Sequence, residues 1–383
     1  MASTPETDRI ATVKLYGKIG SAEGYTIRDF LHRSGVPFEW IELSDDAQAG
    51  PQAGIACVFP DGVRIECPSI AEITKKLGWF RNPSLSEYDL AIYGAGPAGL
   101  SAAVYGASEG LATVVVEPSA VGGQAGSSSK IENYLGFPDG ISGTELAQRA
   151  RNQACRFGAE ILFGREGVRG EFLPGKGVGY LADGTKIVAR STICATGVEY
   201  RRLNLPNEDR LLGAGLYYGA GSSEASLCRN NEDVFVIGGG NSAGQAALHF
   251  SRAARTVHMV VRSASLKETL SFYLVSRINS SPNIRVLTHT EVTALEGDKV
   301  LQAISLIDRR TGAKQTLETR WLFVCIGGEP HTAWAAEVGI VRDEAGYLVT
   351  GADLLRKDLP PAGFIELMEE NRVRLASVLR SHD

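Results

Sequence analysis

YDLAIYGAGPAGLSAAVYGASEG, residues 88–110, changes its period at the glycines. Before Gly94 the chain reads as an apolar strand, and after Gly99 as a helix rich in alanine. Gly94-Ala95-Gly96-Pro97-Ala98-Gly99 therefore fits G-x-G-x-x-G between a strand and a helix, the setting the motif requires. The first glycine makes a tight turn, the second lets the backbone approach a pyrophosphate, and the third lets helix and strand pack closely. TVVVEPS, residues 113–119, supplies the next strand. Glu117 at its end is placed to accept hydrogen bonds from an adenosine ribose. A bare glycine motif is weak evidence, but strand, motif, helix, strand and acid together predict a dinucleotide-binding βαβ unit.

Residues 229–262 repeat the plan. DVFVIGGG leads into Gly238-Gly239-Gly240-Asn241-Ser242-Ala243, then a helix, then the strand TVHMVVR. Alanine in the third motif position is tolerated. Here the following strand runs to Arg262, with Lys267 just beyond, where the first unit has an acid. Cations at that position suit a 2′-phosphate, so NADPH is expected rather than NADH. Two dinucleotide sites in one chain suggest hydride transfer from a nicotinamide to a flavin.

The 383 residues allow two or three domains. A net charge of −5 without long like-charged blocks disfavours nucleic acid and anionic membranes as partners. No apolar run approaches a bilayer span and the N-terminus carries no signal-peptide pattern, so a cytoplasmic protein is expected. Six scattered cysteines contain no C-x-x-C, and six histidines show no metal-ligand spacing, so neither a vicinal redox pair nor a metal site is expected.

Further motifs carry a resemblance: Gly122-Gly123-Gln124, Ile131-Glu132-Asn133-Tyr134, Gly136-Phe137-Pro138, Ala195-Thr196-Gly197 and Ile326-Gly327-Gly328-Glu329-Pro330. Together with the two fingerprints, and in this order, they resemble the FAD- and NADPH-dependent thioredoxin reductase family of class II pyridine nucleotide-disulfide oxidoreductases over residues 88–350. The resemblance implies that Gly94, Gly96, Pro97, Ala98, Gly99, Glu117, Gly122, Gly123, Gln124, Thr196, Gly197 and Gly327 serve the FAD side, with Asn133 near the flavin. It implies that Gly238, Gly240, Asn241, Ser242, Ala243, Arg262 and Lys267 hold NADPH. It also implies a homodimer.

Residues 12–80 read strand, helix, strand, strand, Asp61-Gly62 turn, strand, helix, and resemble a glutaredoxin-like thioredoxin fold. Ser21 and Gly24 stand at its thiol positions, and Ile55 where the fold's cis-proline would be. In the family a redox C-x-x-C precedes the NADPH fingerprint; in this chain Gly219–Ser222 fall there. A hydroxyl cannot replace a thiolate in disulfide exchange. Cys228 lies beyond those positions and is expected to be a buried residue closing a helix, not a nucleophile. No Gly-Asp pair follows Asp353, where the family binds the flavin's ribityl side, so an altered or truncated return segment and impaired FAD retention are expected.

The expected fold is α/β: a degenerate thioredoxin-like domain at 1–80, a linker at 81–87, the first part of a FAD domain at 88–200, an inserted NAD(P)H domain at 201–328 and an atypical return segment at 329–383. The expected function is a flavin-dependent NADPH oxidoreductase that passes electrons to an external small-molecule or protein acceptor without a dithiol. The competing readings are a nucleotide-binding sensor or scaffold that has lost catalysis and, least favoured chemically, ordinary thioredoxin reductase activity.

Overall fold

A computed structural model describes residues 12–43, 54–219, 223–224, 228, 232–337, 339–350 and 353. The architecture is α/β with Rossmann-like parallel sheets, as the alternating strand and helix patterns predict. Two compact units arise from packing. One contains the described residues of Met1–Phe80, Ser119–Gln153 and Tyr200–Gly327; the other those of Arg81–Pro118, Ala154–Glu199 and Gly328–Asp383.

The first unit begins with β1 (Val13–Gly17), α1 (Ala22–Arg33), β2 (Phe38–Glu42), β3 (Ala56–Val58), β4 (Arg64–Glu66) and α2 (Ile70–Lys76). These strands form a sheet in the order β2-β1-β3-β4, with β1 and β2 parallel and the other pairs antiparallel. Both helices start where the sequence supplies a cap. The Ser21 hydroxyl accepts from Gly24 N–H, and Ser69 and Glu72 make a reciprocal capping box. The Asp61-Gly62 turn closes the β3–β4 hairpin, with Gly62 at φ +82° and its N–H donating to Phe59 O at 2.9 Å.

The second unit is built on β5 (Tyr88–Tyr93), α3 (Pro97–Ser108), β6 (Thr113–Glu117), β7 (Glu160–Phe163), β8 (Gly167–Leu173), β9 (Lys176–Leu181) and β10 (Lys186–Cys194). Its sheet runs β7-β6-β5-β10-β9-β8, parallel through the first four strands and antiparallel after them. The strand β6 is buried along its whole length, as expected for a parallel strand covered on both faces. Residues 81–84, read as linker, are tied to this sheet. Arg165 donates to Arg81 O, and Glu160 accepts from the backbone and hydroxyl of Ser84.

The first unit also holds a five-stranded, all-parallel sheet. Its strands are β11 (Leu216–Tyr218), β12 (Asp233–Ile237), β13 (Thr256–Val260), β14 (Ile284–Leu287) and β15 (Leu322–Val324), in the order β11-β15-β12-β13-β14. The helices α4 (Asn241–Phe250) and α5 (Phe272–Asn279) cover it. Phe250 and Phe323 stack at 4.1 Å at its centre, among Val234, Val236, Val257, Met259 and Leu274, all essentially dry. Each such side chain contributes about 1.5–3 kcal/mol by leaving water. The strand β13 stops at Val260, two residues before Arg262; Val261 is still buried and donates to Leu287 O at 2.9 Å, and the chain reaches the surface at Arg262. No helix among the described residues is long and apolar enough to cross a membrane. The charged stretch read as a C-terminal helix lies outside the described residues.

Three histidines give this unit a defined response to acid. Burial lowers the pKa of His32, His249 and His258 below the usual 6.5; Arg33 and Arg252 reinforce the effect at the first two, while Asp29 and Asp233 oppose it at His32 and His258. A histidine with a depressed folded pKa contributes stability above 6.5 that is lost as pH falls toward the folded value. The melting temperature is therefore expected to decline as pH falls from about 7 through the ordinary histidine value of about 6.5 toward the lower folded values. A melting temperature that rises on acidification through this window would contradict the assignment.

Candidate functional site

In the second unit, β5 delivers Gly94 into a turn at φ +104°, and a Cβ there would overlap the carbonyl oxygen of Ala195. At Gly99 a Cβ would overlap the carbonyl oxygen of Gly94, so strand and helix are in backbone contact. Gly96 is the N-cap of α3 with no side-chain cap, and Pro97 occupies the first turn, where its missing N–H is no loss. Pro97 and Ala98 are exposed. The helix terminus thus keeps backbone donors for an anion. Glu117, 7% exposed, accepts from Ala95 N–H at 2.8 Å, which fixes its carboxylate beside the turn.

The Ala195-Thr196-Gly197 turn follows β10 in the same unit. The Thr196 hydroxyl donates to His331 O at 3.0 Å, and His331 N–H donates to Gly197 O at 3.0 Å. Gly197 sits at φ +69°. These bonds hold the turn against the segment that begins at Gly328.

In the first unit, Gly122 (φ +98°) and Gly123 (φ +52°) open a short 3-10 turn that carries Gln124. Arg33 from α1 donates to Gly123 O at 2.9 Å. Asn133 is exposed, as are Tyr134 and Leu135, whereas Glu132 pairs with Lys130 and Arg277. Gly327, at φ +89°, accepts from Arg201 N–H.

The second fingerprint lies in the same unit and repeats the geometry of the first. Gly238 is at φ +136°, and a Cβ there would overlap Cys325 O. Gly240 caps α4 without a side-chain bond and has nothing within 4 Å of where a Cβ would stand, so the backbone is open to a pyrophosphate. Ala243 is fully buried. Asn241 Oδ1 accepts from Ser271 N–H and the Thr269 hydroxyl donates to Gly239 O, so the turn is held by the loop that follows β13. Ser242 is exposed. Arg262 and Lys267 are exposed on that loop, and neither forms an ion pair with a described residue.

The sulfur atoms are placed for packing. Cys228 is fully buried, with its thiol 3.5 Å from Glu224 O, and burial pushes its pKa far above the thiol range, with Glu224 and Glu232 adding to the effect. Burial alone pushes Cys325 up to about 12. Neither is a thiolate near neutral pH. A helix closed by Cys228, and positions 220–222, lie outside the described residues.

Sequence reasoning missed two charged side chains in this region. Arg28, 2% exposed on α1, donates through Nη2 to Glu224 Oε2 at 2.8 Å and through Nε to Oε1 at 3.2 Å, and Glu224 is fully buried. The signal was present in α1, where Gly24, Ile27, Arg28 and Leu31 fall on one helical face and only Arg28 is charged.

Residues 88–357 match the family described as pyridine nucleotide-disulphide oxidoreductase. The bifunctional thioredoxin reductase/thioredoxin of Mycobacterium leprae is 36% identical over 273 residues, covering 70% of this chain and 58% of that protein. The thioredoxin reductase of Treponema pallidum is 35% identical over 270 residues, covering 70% and 85%. Among solved structures, Lactococcus lactis thioredoxin reductase in the FR conformation superposes with a TM-score of 0.65 at 28% identity, covering 71% of this chain and 88% of that one. The T. acidophilum thioredoxin reductase gives a TM-score of 0.65 at 30% identity, covering 70% and 86%.

Proposed function

The chain belongs to the pyridine nucleotide-disulphide oxidoreductase family, and on that basis we propose that it is an NADPH-dependent flavoprotein whose electrons leave for an external acceptor, without an internal dithiol. The observation that carries this reading is the pair of glycine turns at Gly94 and Gly238, each followed by a helix whose N-cap glycine makes no side-chain bond. FAD held at the first turn would supply two-electron chemistry between NADPH and the acceptor. The described residues fit the adenosine and pyrophosphate parts of such groups, while the stretch after Asp353 where the family meets the flavin's ribityl side lies outside the described residues. The turn at Gly94 and the carboxylate of Glu117 suit the adenosine and pyrophosphate of the flavin nucleotide, while Gly240 and the first turn of α4 suit those of NADPH.

The absence of a dithiol rests on chemistry. Ser21 and Gly24 cannot exchange a disulfide, and the buried Cys228 and Cys325 lack thiolate character. The order of the N-terminal sheet, β2-β1-β3-β4, supports reading residues 12–80 as a thioredoxin-like domain that has kept its fold and lost that chemistry. We further propose that the protein is a cytoplasmic homodimer, the dimer resting on the family resemblance alone.

The test is an absorption spectrum of the purified protein before and after added FAD, then after NADPH without oxygen. A flavin band that NADPH bleaches supports the proposal. Colourless protein that binds NADPH but takes up no FAD would overturn it in favour of a nucleotide-binding scaffold.

Cofactor choice has its own test. Arg262→Ala is expected to weaken NADPH binding by about ten-fold or more and to leave NADH within about threefold, because a charge-assisted bond to the 2′-phosphate is worth roughly 1.5–3 kcal/mol. Calorimetry with both nucleotides decides it, and equal losses for the two would remove Arg262 from the site.

A further inference from the structure

The beginning of α1 is packed onto the segment that leads to the second fingerprint, within one packing unit. A Cβ at Gly213 would stand 2.7 Å from Ala22 Cα and 3.1 Å from Tyr25 Cβ, so the two backbones touch. Tyr25 meets Tyr217 edge to face at 5.1 Å, and Tyr217 in turn stacks on Phe323 at 5.2 Å, in the middle of the five-stranded sheet's core. Deeper in, the Arg28 guanidinium lies 4.3 Å from the centre of the Trp40 ring and grips Glu224 with two bonds. Burial pushes the Glu224 carboxyl up, and Arg28 opposes that shift.

We propose that the described residues of 12–80 are a fixed cover, locked by the Arg28–Glu224 pair over residues 213–219 and 223–224, which closes those residues to any separate protein partner. Three features carry this assignment. The pair is fully desolvated, so neither charge can be exposed or left alone cheaply. Arg28 Nη1 has no partner among the described residues, a buried donor whose cost is borne only because the two bonds to Glu224 and the Trp40 ring hold the guanidinium in place. The contact is also made by the turn of α1 that begins at Ser21, the end of the domain where a thioredoxin-like fold would do its chemistry, so both surfaces are spent on each other. A protein acceptor must therefore reach the electron source by another face.

Hydrogen exchange followed by mass spectrometry on the full chain tests the cover without reference to cofactor or turnover, so its failure is separate from failure of the proposed function. In Arg28→Ala, amides of α1 from Tyr25 to Leu31 and of β11 are expected to exchange on the order of ten-fold faster, while β1 and β12 keep the parent's protection. The double variant Arg28→Met with Glu224→Leu, which removes both charges and keeps the volume, is expected to return α1 and β11 to within about threefold of the parent. Unchanged protection in Arg28→Ala overturns the lock. Loss that spreads equally through β1 and β12 overturns the cover, since the two parts would then be one core. A double variant that stays as open as Arg28→Ala overturns the role assigned to the pair.

Discussion

Gly99→Ala is expected to abolish dinucleotide retention by the first fingerprint, lowering affinity for FAD by more than about 100-fold and stability by about 3 kcal/mol. The added methyl group would overlap the carbonyl oxygen of Gly94, a backbone atom with no rotamer to move into. The turn must open, which carries the N-terminus of α3 and its free N–H groups away from the carboxylate of Glu117. The second fingerprint supplies the control. Its third position is already Ala243, fully buried without such an overlap, so Ala243→Gly is expected to cost about 1 kcal/mol or less of helix stability. Flavin titration and thermal melting of both variants check the contrast. Retention of FAD at the parent's level by Gly99→Ala would mean that this turn holds no pyrophosphate.

Arg165→Ala is expected to destabilise the sheet that carries β5 by roughly 2–4 kcal/mol. Its guanidinium, on a side chain 1% exposed, donates to Asp183 at 2.5 Å, Thr185 Oγ1 at 2.6 Å, Arg81 O at 2.8 Å and Asn82 Oδ1 at 3.0 Å. Asp183 is 36% exposed and regains water when the arginine is removed, which holds the loss below the full value for a buried ion pair. Arg165→Lys restores one charge but not the planar fork, so a stability between the parent and the alanine variant is expected. Urea unfolding measures the loss. Trypsin cleavage at Arg81, faster in the alanine variant, locates it, and an unfolding midpoint equal to the parent's would show that 81–84 is held by Glu160 alone.

The two glycine turns were legible because their signals are local. A strand, three small residues and a helix lie within about 20 positions, and each glycine has a reason visible in its neighbours. The hairpin at Asp61-Gly62 was legible for the same reason. What could not be read were contacts between distant segments. Arg28 and Glu224 are 196 residues apart, and although Arg28 stands out as the one charge on the buried face of α1, nothing local to either residue names its partner. Arg262 shows a smaller limit of pattern reading: the strand ends at Val260, because alternation cannot say where the last ladder bond falls. Asn133 was named by resemblance, and its exposed position has no local signature. The grouping of 119–153 with the N-terminal residues could not be inferred either, since Arg33 reaches Gly123 across an interval that no periodicity spans.

The two packing units have a consequence for the ribosome. The chain passes from one to the other after residues 80, 118, 153, 199 and 327, so neither unit is a continuous stretch. The five-stranded sheet cannot close until β15, which sits between β11 and β12, has been synthesised. At translation speeds of about 5–20 residues per second, β12 and its glycine turn wait several seconds for their central neighbour. During that interval the apolar edge of Phe235 and Val236 is available to chaperones, and to other nascent copies of itself.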